Sequence, residues 1–323
     1  MNNIIFVEGI PGCGKSTTSQ YIYEQLKNNG YDVEWLHEGI QDHPFYERHN
    51  LYNEQGFLDK DAFVDYLNVF KKEMKTIKDL VEGEGKVFVV DGLILTGFTN
   101  TYLNADCKDA DIQTYFKALM QVLVGLKPLL VYLETKRVKD HTLETWEGRA
   151  SWGCDRVVQA YSKAPRVQRT GKKGKDVLYE YINPIQDQNL NYYDQFPYDK
   201  LRFVIDQRRY EDYHETILDH MGLFKGKELI DEKGINRYVG IYDNDGYKEN
   251  MKVKILDQQL VCDWGEINMV LTYVSPNVYN LRSYPIYLKF IEEEGQIKGI
   301  ETYGQQCYDR AGWYFQRVEK SKY

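Results

Sequence analysis

Gly9-Ile10-Pro11-Gly12-Cys13-Gly14-Lys15-Ser16 fits G-x-x-x-x-G-K-[ST], the pattern of a phosphate-binding loop. Ile4-Ile5-Phe6-Val7 precedes it as a short apolar run of strand type. The residues after it, Thr17 to Leu26, place apolar side chains at helical spacing. Strand, glycine loop and helix form the context in which the pattern binds phosphate. Glycines let successive backbone N–H groups point at one anion, and the helix adds its positive dipole end. Gly9, Gly12, Cys13, Gly14 and Thr17 are therefore expected to line a nucleotide's phosphates together with Lys15 and Ser16. The Lys15 ammonium is expected at the β- and γ-phosphates and the Ser16 hydroxyl on Mg²⁺. Cys13, beside these amides and Lys15, is a candidate for a lowered thiol pKa and for reactivity.

Outward from this loop the chain alternates strands and helices. A strand over about Asn3 to Glu8 leads into a helix from about Gly14 to Asn29, stopped at Gly30. Tyr31 to Leu36 reads as a second strand, delivering His37 and Glu38. Phe63, Tyr66, Leu67, Phe70, Met74, Ile77 and Val81 recur at three and four and predict a long amphipathic helix over 61–82. The unbroken apolar run Lys86-Val87-Phe88-Val89-Val90-Asp91 suits a parallel strand buried on both faces. A helix over 109–126, a strand over Pro128 to Leu133, a basic segment largely helical up to about Ser162, a helix over 186–196, a strand over Leu201 to Asp206 and a helix from Arg209 to Met221 complete the pattern. Such alternation argues for a parallel sheet covered by helices, with ligands beyond the carboxyl ends of the strands. Glu8, Glu38, Asp91 and Asp206 stand at or near those ends, so one mouth is expected to gather them.

Near residue 226 the character changes. Helical periodicity fades, and short aromatic or β-branched runs recur at Tyr238–Tyr242, Met251–Leu256, Met269–Val274, Ile286–Ile291 and Gly312–Val318. Asn244-Asp245-Gly246, Ser275-Pro276-Asn277 and Glu294-Gly295 punctuate them as turns. The expected division is an α/β nucleotide-binding domain over 1–225 and a small antiparallel β domain over 226–323, joined through Lys225 to Asn236.

Composition limits the alternatives. The 323 residues are 42% hydrophobic and 28% charged, as in globular domains, with no apolar run long enough for a membrane span. The first residues enter the strand without a basic, apolar leader, and five scattered cysteines form no disulfide framework, so a cytoplasmic protein is expected. A net charge of −8 gives no sign of a nucleic-acid polymer as partner. Residues 136–175 run against that balance, with eleven Lys and Arg against four Asp and Glu. A basic segment on an acidic chain is a candidate lid over polyphosphate.

Several side chains are candidates for chemistry. Asp91, ending a buried strand, is placed to hold the Mg²⁺ water shell, or else to cap a turn. Glu38 would take a proton from an acceptor hydroxyl or hydrogen-bond the acceptor, the plainer reading being a solvated loop acid. His37 is a weaker candidate, since a lone histidine is more often structural. Arg149, in Trp146-Glu147-Gly148-Arg149-Ala150-Ser151-Trp152, would close over a moving phosphoryl group, and Arg137, Arg156, Arg166 and Arg169 compete for that role. Lys172, Lys173 and Lys175 read as a solvated glycine-flanked loop. Arg208 and Arg209 follow the last strand, where adenine is often held in this architecture.

The first 225 residues resemble the nucleoside and nucleoside-monophosphate kinase branch of P-loop proteins, in particular thymidylate-kinase-like and deoxynucleoside-kinase-like proteins. The likeness rests on Gly9 to Thr17, the strand ends at Glu38 and Asp91, and the arginine-bearing segment after the fourth strand. It implies a sheet of order 2-3-1-4-5, ATP and Mg²⁺ as cofactors, Lys15, Glu38, Asp91 and Arg149 as catalytic residues, and Ser16 and Asp91 at the metal. Thymidylate kinases typically carry Asp-Arg after the third strand, where this chain has Asp91-Gly92. The last ninety or so residues resemble faintly the small β domain appended to some serine β-lactamase-like proteins, through Tyr238-Val239-Gly240-Ile241-Tyr242. That likeness implies no chemistry and leaves a cover for the site, a ligand module or a homodimer contact as its roles.

The expected function is therefore an ATP-dependent kinase of a small-molecule acceptor. An ATP-binding regulatory protein or NTPase is the alternative. The Asn-Lys-x-Asp motif of GTPases and the Ser-Gly-Gly-Gln signature of transport ATPases are both missing from the sequence.

Overall fold

The computed structural model describes the chain except residues 42, 44–50, 52–53, 55–57, 59, 106, 149–152, 207–208, 228, 248, 265–267 and 319–323. It divides into two compact units. One comprises Met1–Glu38, His43–Glu147 and Gly153–Gly226, the other Gly39–Asp42, Gly148–Trp152 and Lys227–Tyr323.

The first unit is built on five parallel strands: β1 (Ile4–Glu8), β2 (Val33–Leu36), β3 (Val87–Asp91), β4 (Pro128–Glu134) and β5 (Asp199–Val204). Their order is β2-β3-β1-β4-β5, as the kinase resemblance implies. Every residue of β1, β3 and β4 is buried, which explains their unbroken apolar runs. The edge strand β5 alternates between exposed and half-buried residues. Val7 pairs with Asp91 on one side and Val131 on the other, so the ends of β1 and β3 finish level.

Helices α1 (Lys15–Asn28), α2 (Phe63–Glu84), α3 (Thr96–Asn104), α4 (Asp109–Val122), α5 (Val138–Glu147), α6 (Cys154–Tyr161), α7 (Pro165–Thr170), α8 (Asp176–Gln195) and α9 (Glu211–Met221) flank the sheet. The core joins Ile5, Val7, Val89 and Val131 of the sheet to Ile22 and Leu26 of α1, Ile182 and Ile185 of α8, and Ile217 of α9. Each such side chain contributes about 1.5–3 kcal/mol on leaving water. Three helices depart from the sequence reading. α3 was not expected at all, α7 lies in the basic segment, and α8 begins ten residues before the predicted 186 with Pro184 inside it. β5 ends at Val204, so Asp206 stands beyond the strand rather than closing it.

The second unit is a closed antiparallel barrel of β6 (Gly240–Asp243), β7 (Met251–Leu256), β8 (Gln259–Asp263), β9 (Asn268–Ser275), β10 (Val278–Leu281), β11 (Ile286–Glu293), β12 (Gln296–Gly304) and β13 (Tyr314–Arg317). Closure comes from β13 pairing with β6. Tyr242, Val253, Leu271, Tyr279, Leu288, Phe290, Ile300 and Phe315 are buried, and eight strands enclose about the width such side chains fill. The Asp231 carboxylate accepts from the hydroxyls of Tyr238 at 2.7 Å and Tyr279 at 2.9 Å. Ile40 forms an isolated antiparallel bridge with Cys307 of the same unit. Among the described residues no helix is long and apolar enough to cross a membrane.

Candidate active site

The loop over Gly9 to Ser16 joins β1 to α1, and its side chains divide by direction. Ile10 and Cys13 belong to the hydrophobic core, fixing the loop from behind. Gly12 lies against α5: a Cβ there would stand 2.7 Å from Thr145 Cγ2. Four residues earlier on the same helix, His141 places Nε2 3.1 Å from the Pro11 carbonyl and 3.7 Å from Cys13 Sγ. A carbonyl only accepts, so that nitrogen carries the hydrogen. His141 and Thr145 brace the loop at helical spacing; their i,i+4 relation was visible in the sequence, but nothing there tied it to the loop.

Gly14 caps α1 in the left-handed region, and no side chain caps the helix. Among the described residues the N–H groups of Gly12, Gly14, Lys15 and Ser16 donate no hydrogen bond. Unpaired amides at a helix N-terminus form an anion site. Lys15 is only 7% exposed although its head is charged.

Asp91, at the end of β3, is fully buried, and neither carboxylate oxygen has a hydrogen-bond partner. Burial and the Glu38 charge push its pKa up to about 8, while Lys15 and the Ser16 hydroxyl pull it down. An unpaired buried carboxylate beside a lysine and a serine fits a divalent cation. Mg²⁺ commonly takes one or two protein oxygens and fills its remaining positions with water and phosphate. Among the described residues no group of three or more His, Cys, Asp or Glu forms a protein-only cage. Ser16 and Asp91 would hold the ion.

Glu38 is exposed, with Oε2 3.5 Å from where a Gly92 Cβ would stand. His37 is buried, 3.9 Å from Asp91 Oδ2, and meets Trp35 edge-on at 5.2 Å.

The expected gathering of four carboxylates in one mouth is corrected by the hydrogen bonds. Glu8 accepts from the backbone N–H groups of Ile94 at 2.8 Å, Leu95 at 3.0 Å and Thr96 at 2.9 Å, so it caps α3. Burial pushes its pKa up against these amides and the Lys15 charge. Asp206 accepts from Thr135 Oγ1 at 2.7 Å and Lys136 N at 3.0 Å, tying the ends of β4 and β5. Asp91 and Glu38 remain beside Lys15.

Arg149 lies outside the described residues. Arg137 pairs with Asp140 at 3.4 Å and Glu144 at 3.0 Å. Arg166 is a bracket: its guanidinium donates to the carbonyls of Glu180 and Tyr181 and lies 5.1 Å from the Tyr181 ring centroid. Burial lowers its pKa to about 10. Arg156 and Arg169 stand exposed on α6 and α7. Part of the basic excess is spent locally, through Lys136 with Glu134, Lys139 with Asp176, and Lys175 with Glu147.

Beyond β5 a cleft of about 370 Å³ is lined by Phe203, Val204, Ile205, Asp206, Arg209 and Tyr213. Phe203 and Tyr213 stack there with centroids 5.0 Å apart, and Arg209 pairs with Asp212 at 3.0 Å. Arg208 lies outside the described residues. Compared with known proteins, the chain matches no family model and no curated protein.

Proposed function

We propose that the parallel-sheet unit is an ATP-dependent phosphotransferase that moves the γ-phosphoryl group to a small-molecule acceptor: a nucleoside, a nucleotide, or another hydroxylated metabolite or antibiotic. The observation that carries this reading is Asp91, a fully buried carboxyl whose charged form is favoured by Lys15 and the Ser16 hydroxyl at an uncapped helix N-terminus. A buried carboxylate costs several kcal/mol unless a cation joins it or a proton neutralises it.

The loop amides would hold the β- and γ-phosphates and Lys15 would neutralise them. Mg²⁺, held by Ser16 and Asp91, would offset the negative charge of the phosphates. The cleft beside Phe203, Arg209 and Tyr213 would take the base. Glu38 would accept the proton of the acceptor hydroxyl as its oxygen bonds to the γ-phosphorus and the bond to the β-phosphate oxygen breaks. Arg149, with Arg156 and Arg169 in the same segment, would close on the moving group and exclude water.

Calorimetry with Mg-ATP, followed by a coupled ADP assay over nucleosides, nucleotides and aminoglycoside-like alcohols, tests this. Acceptor-dependent ADP release that Lys15→Ala abolishes is the expected result. Binding with no acceptor-dependent turnover would favour an ATP-binding regulatory protein or NTPase. No binding at all would end the reading.

A further inference from the structure

The residue after Asp91 carries no side chain, and the space beside it is taken. Gly92 has φ +70°, and a Cβ built there would lie 2.5 Å from Cε and 3.3 Å from Cδ of Lys15, with Glu38 Oε2 at 3.5 Å. Carbon atoms cannot approach to 2.5 Å without displacement, so one side would have to move. The backbone at this position is held on both faces: Gly92 N donates to Val7 O at 2.9 Å, and Gly92 O accepts from Gly97 N at 3.2 Å. Those bonds join it to β1 and to the first turn of α3. The Lys15 side chain, free to rotate about four bonds, is the softer partner.

We propose that Gly92 is a positioning residue for Lys15: its missing side chain leaves the room through which the lysine reaches its working place between Asp91 and Glu38. Residue 92 acts on a bound phosphate only through the lysine. Its effect on function rests on the reading of Lys15 as a phosphate ligand, whereas the placement of the lysine stands on the geometry alone.

Gly92→Ala and Gly92→Asn test the proposal together. Asparagine tolerates a positive φ far better than alanine does. If residue 92 only supplied a left-handed turn, Asn would preserve function where Ala lost it. Under the proposal both variants fold, as read by circular dichroism, and both weaken Mg-ATP binding by about tenfold, the usual effect of losing one charged contact. In a Lys15→Ala background, adding Gly92→Ala leaves the residual affinity about unchanged, because the group it displaces is gone.

Wild-type affinity in either single variant, or an equal loss with and without Lys15, would overturn the proposal. So would global unfolding of both variants, which would make residue 92 a scaffold position. A wild-type protein without Mg-ATP affinity would sink the phosphotransferase reading instead. The placement is then read from reductive methylation of Lys15, slow in the wild type, where it is 7% exposed, and faster in Gly92→Ala. Equal rates would refute it.

Discussion

Thr96 donates its hydroxyl to the carbonyl of Gly9 at 3.0 Å, and the same oxygen accepts from Asn189 Nδ2 at 3.0 Å. Asn189 Oδ1 in turn accepts from Thr99 Oγ1 at 2.7 Å. One fully buried amide on α8 thus fixes two threonines of α3 and, through Thr96, the carbonyl of Gly9 at the start of the glycine loop. Asn189→Leu keeps the volume, takes from Thr99 the acceptor of its hydroxyl proton, and removes the donor to Thr96, whose own bond to Gly9 remains. It is expected to lower the unfolding free energy by about 2 kcal/mol, the cost of leaving buried partners unmade. A urea midpoint equal to that of the wild type would show that the network contributes no stability.

Glu8→Gln tests the second tie between β1 and α3. The carboxylate offers two acceptors to three amides, and glutamine replaces one of them with a donor facing an N–H. Leu95, at the N-cap of α3, supplies no side-chain cap, and the first turn holds no acid. The expected loss is about 1–3 kcal/mol. Amide exchange should rise at residues 94–96 before it rises in β1 or β4. Uniform exchange across the unit would mean that Glu8 does not cap this helix.

The same residues explain what the sequence could and could not reveal. The loop, β1 and β3 were legible because their signals are local: a glycine spacing and apolar runs buried on both faces. α3 was not. Thr96-Gly97-Phe98-Thr99-Asn100-Thr101 contains glycine, β-branched residues and asparagine, all weak helix formers, and its cap arrives from a carboxylate 86–88 residues away in sequence. Pro184 hid the first half of α8, although Val177, Leu178, Tyr181, Ile182 and Ile185 are buried at helical spacing. In the barrel, β8, β10 and β12 lie outside the predicted runs; β8 follows a hairpin that turns through Asp257 at φ 49° and Gln258 at φ 64°, a left-handed pair without glycine. At the site, Lys15, Ser16 and Asp91 followed from the motif and strand end. Glu8 and Asp206 did not separate from Glu38 and Asp91 until hydrogen bonds distinguished them.

Cys13 is the next case, since its position in the loop suggested a reactive thiol. Its side chain is fully buried in the core, beside His141, so reagents have no path to it. Cys262 and Cys307 are buried too, whereas Cys107 and Cys154 are partly accessible. Burial raises the Cys154 pKa, slowing its reaction. Brief iodoacetamide treatment of the native protein, followed by peptide mass analysis, should mark Cys107 first and Cys154 more slowly. Cys13 should stay unmodified until the protein is unfolded. Early alkylation of Cys13 would mean that the loop opens readily in the absence of nucleotide.

The pKa of Asp91 fixes a pH dependence with a definite sign. In the folded, ligand-free protein it is pushed up to about 8, against 3.8 for the free side chain. Between those values the native state holds a proton that the unfolded chain has released. Stability from this group is full below about pH 4 and drains away as pH rises through about 8. Asp91→Asn should flatten that decline in ligand-free unfolding measurements. Under the phosphotransferase proposal, bound Mg-nucleotide would reverse the preference, because a cation favours the carboxylate. Binding near pH 7 should therefore release a proton, seen as a dependence of the calorimetric heat on the ionisation enthalpy of the buffer. Asp91→Asn should remove that dependence together with most of the Mg²⁺ requirement. Heat that is independent of buffer in the wild type would show that Asp91 is already ionised before the metal arrives.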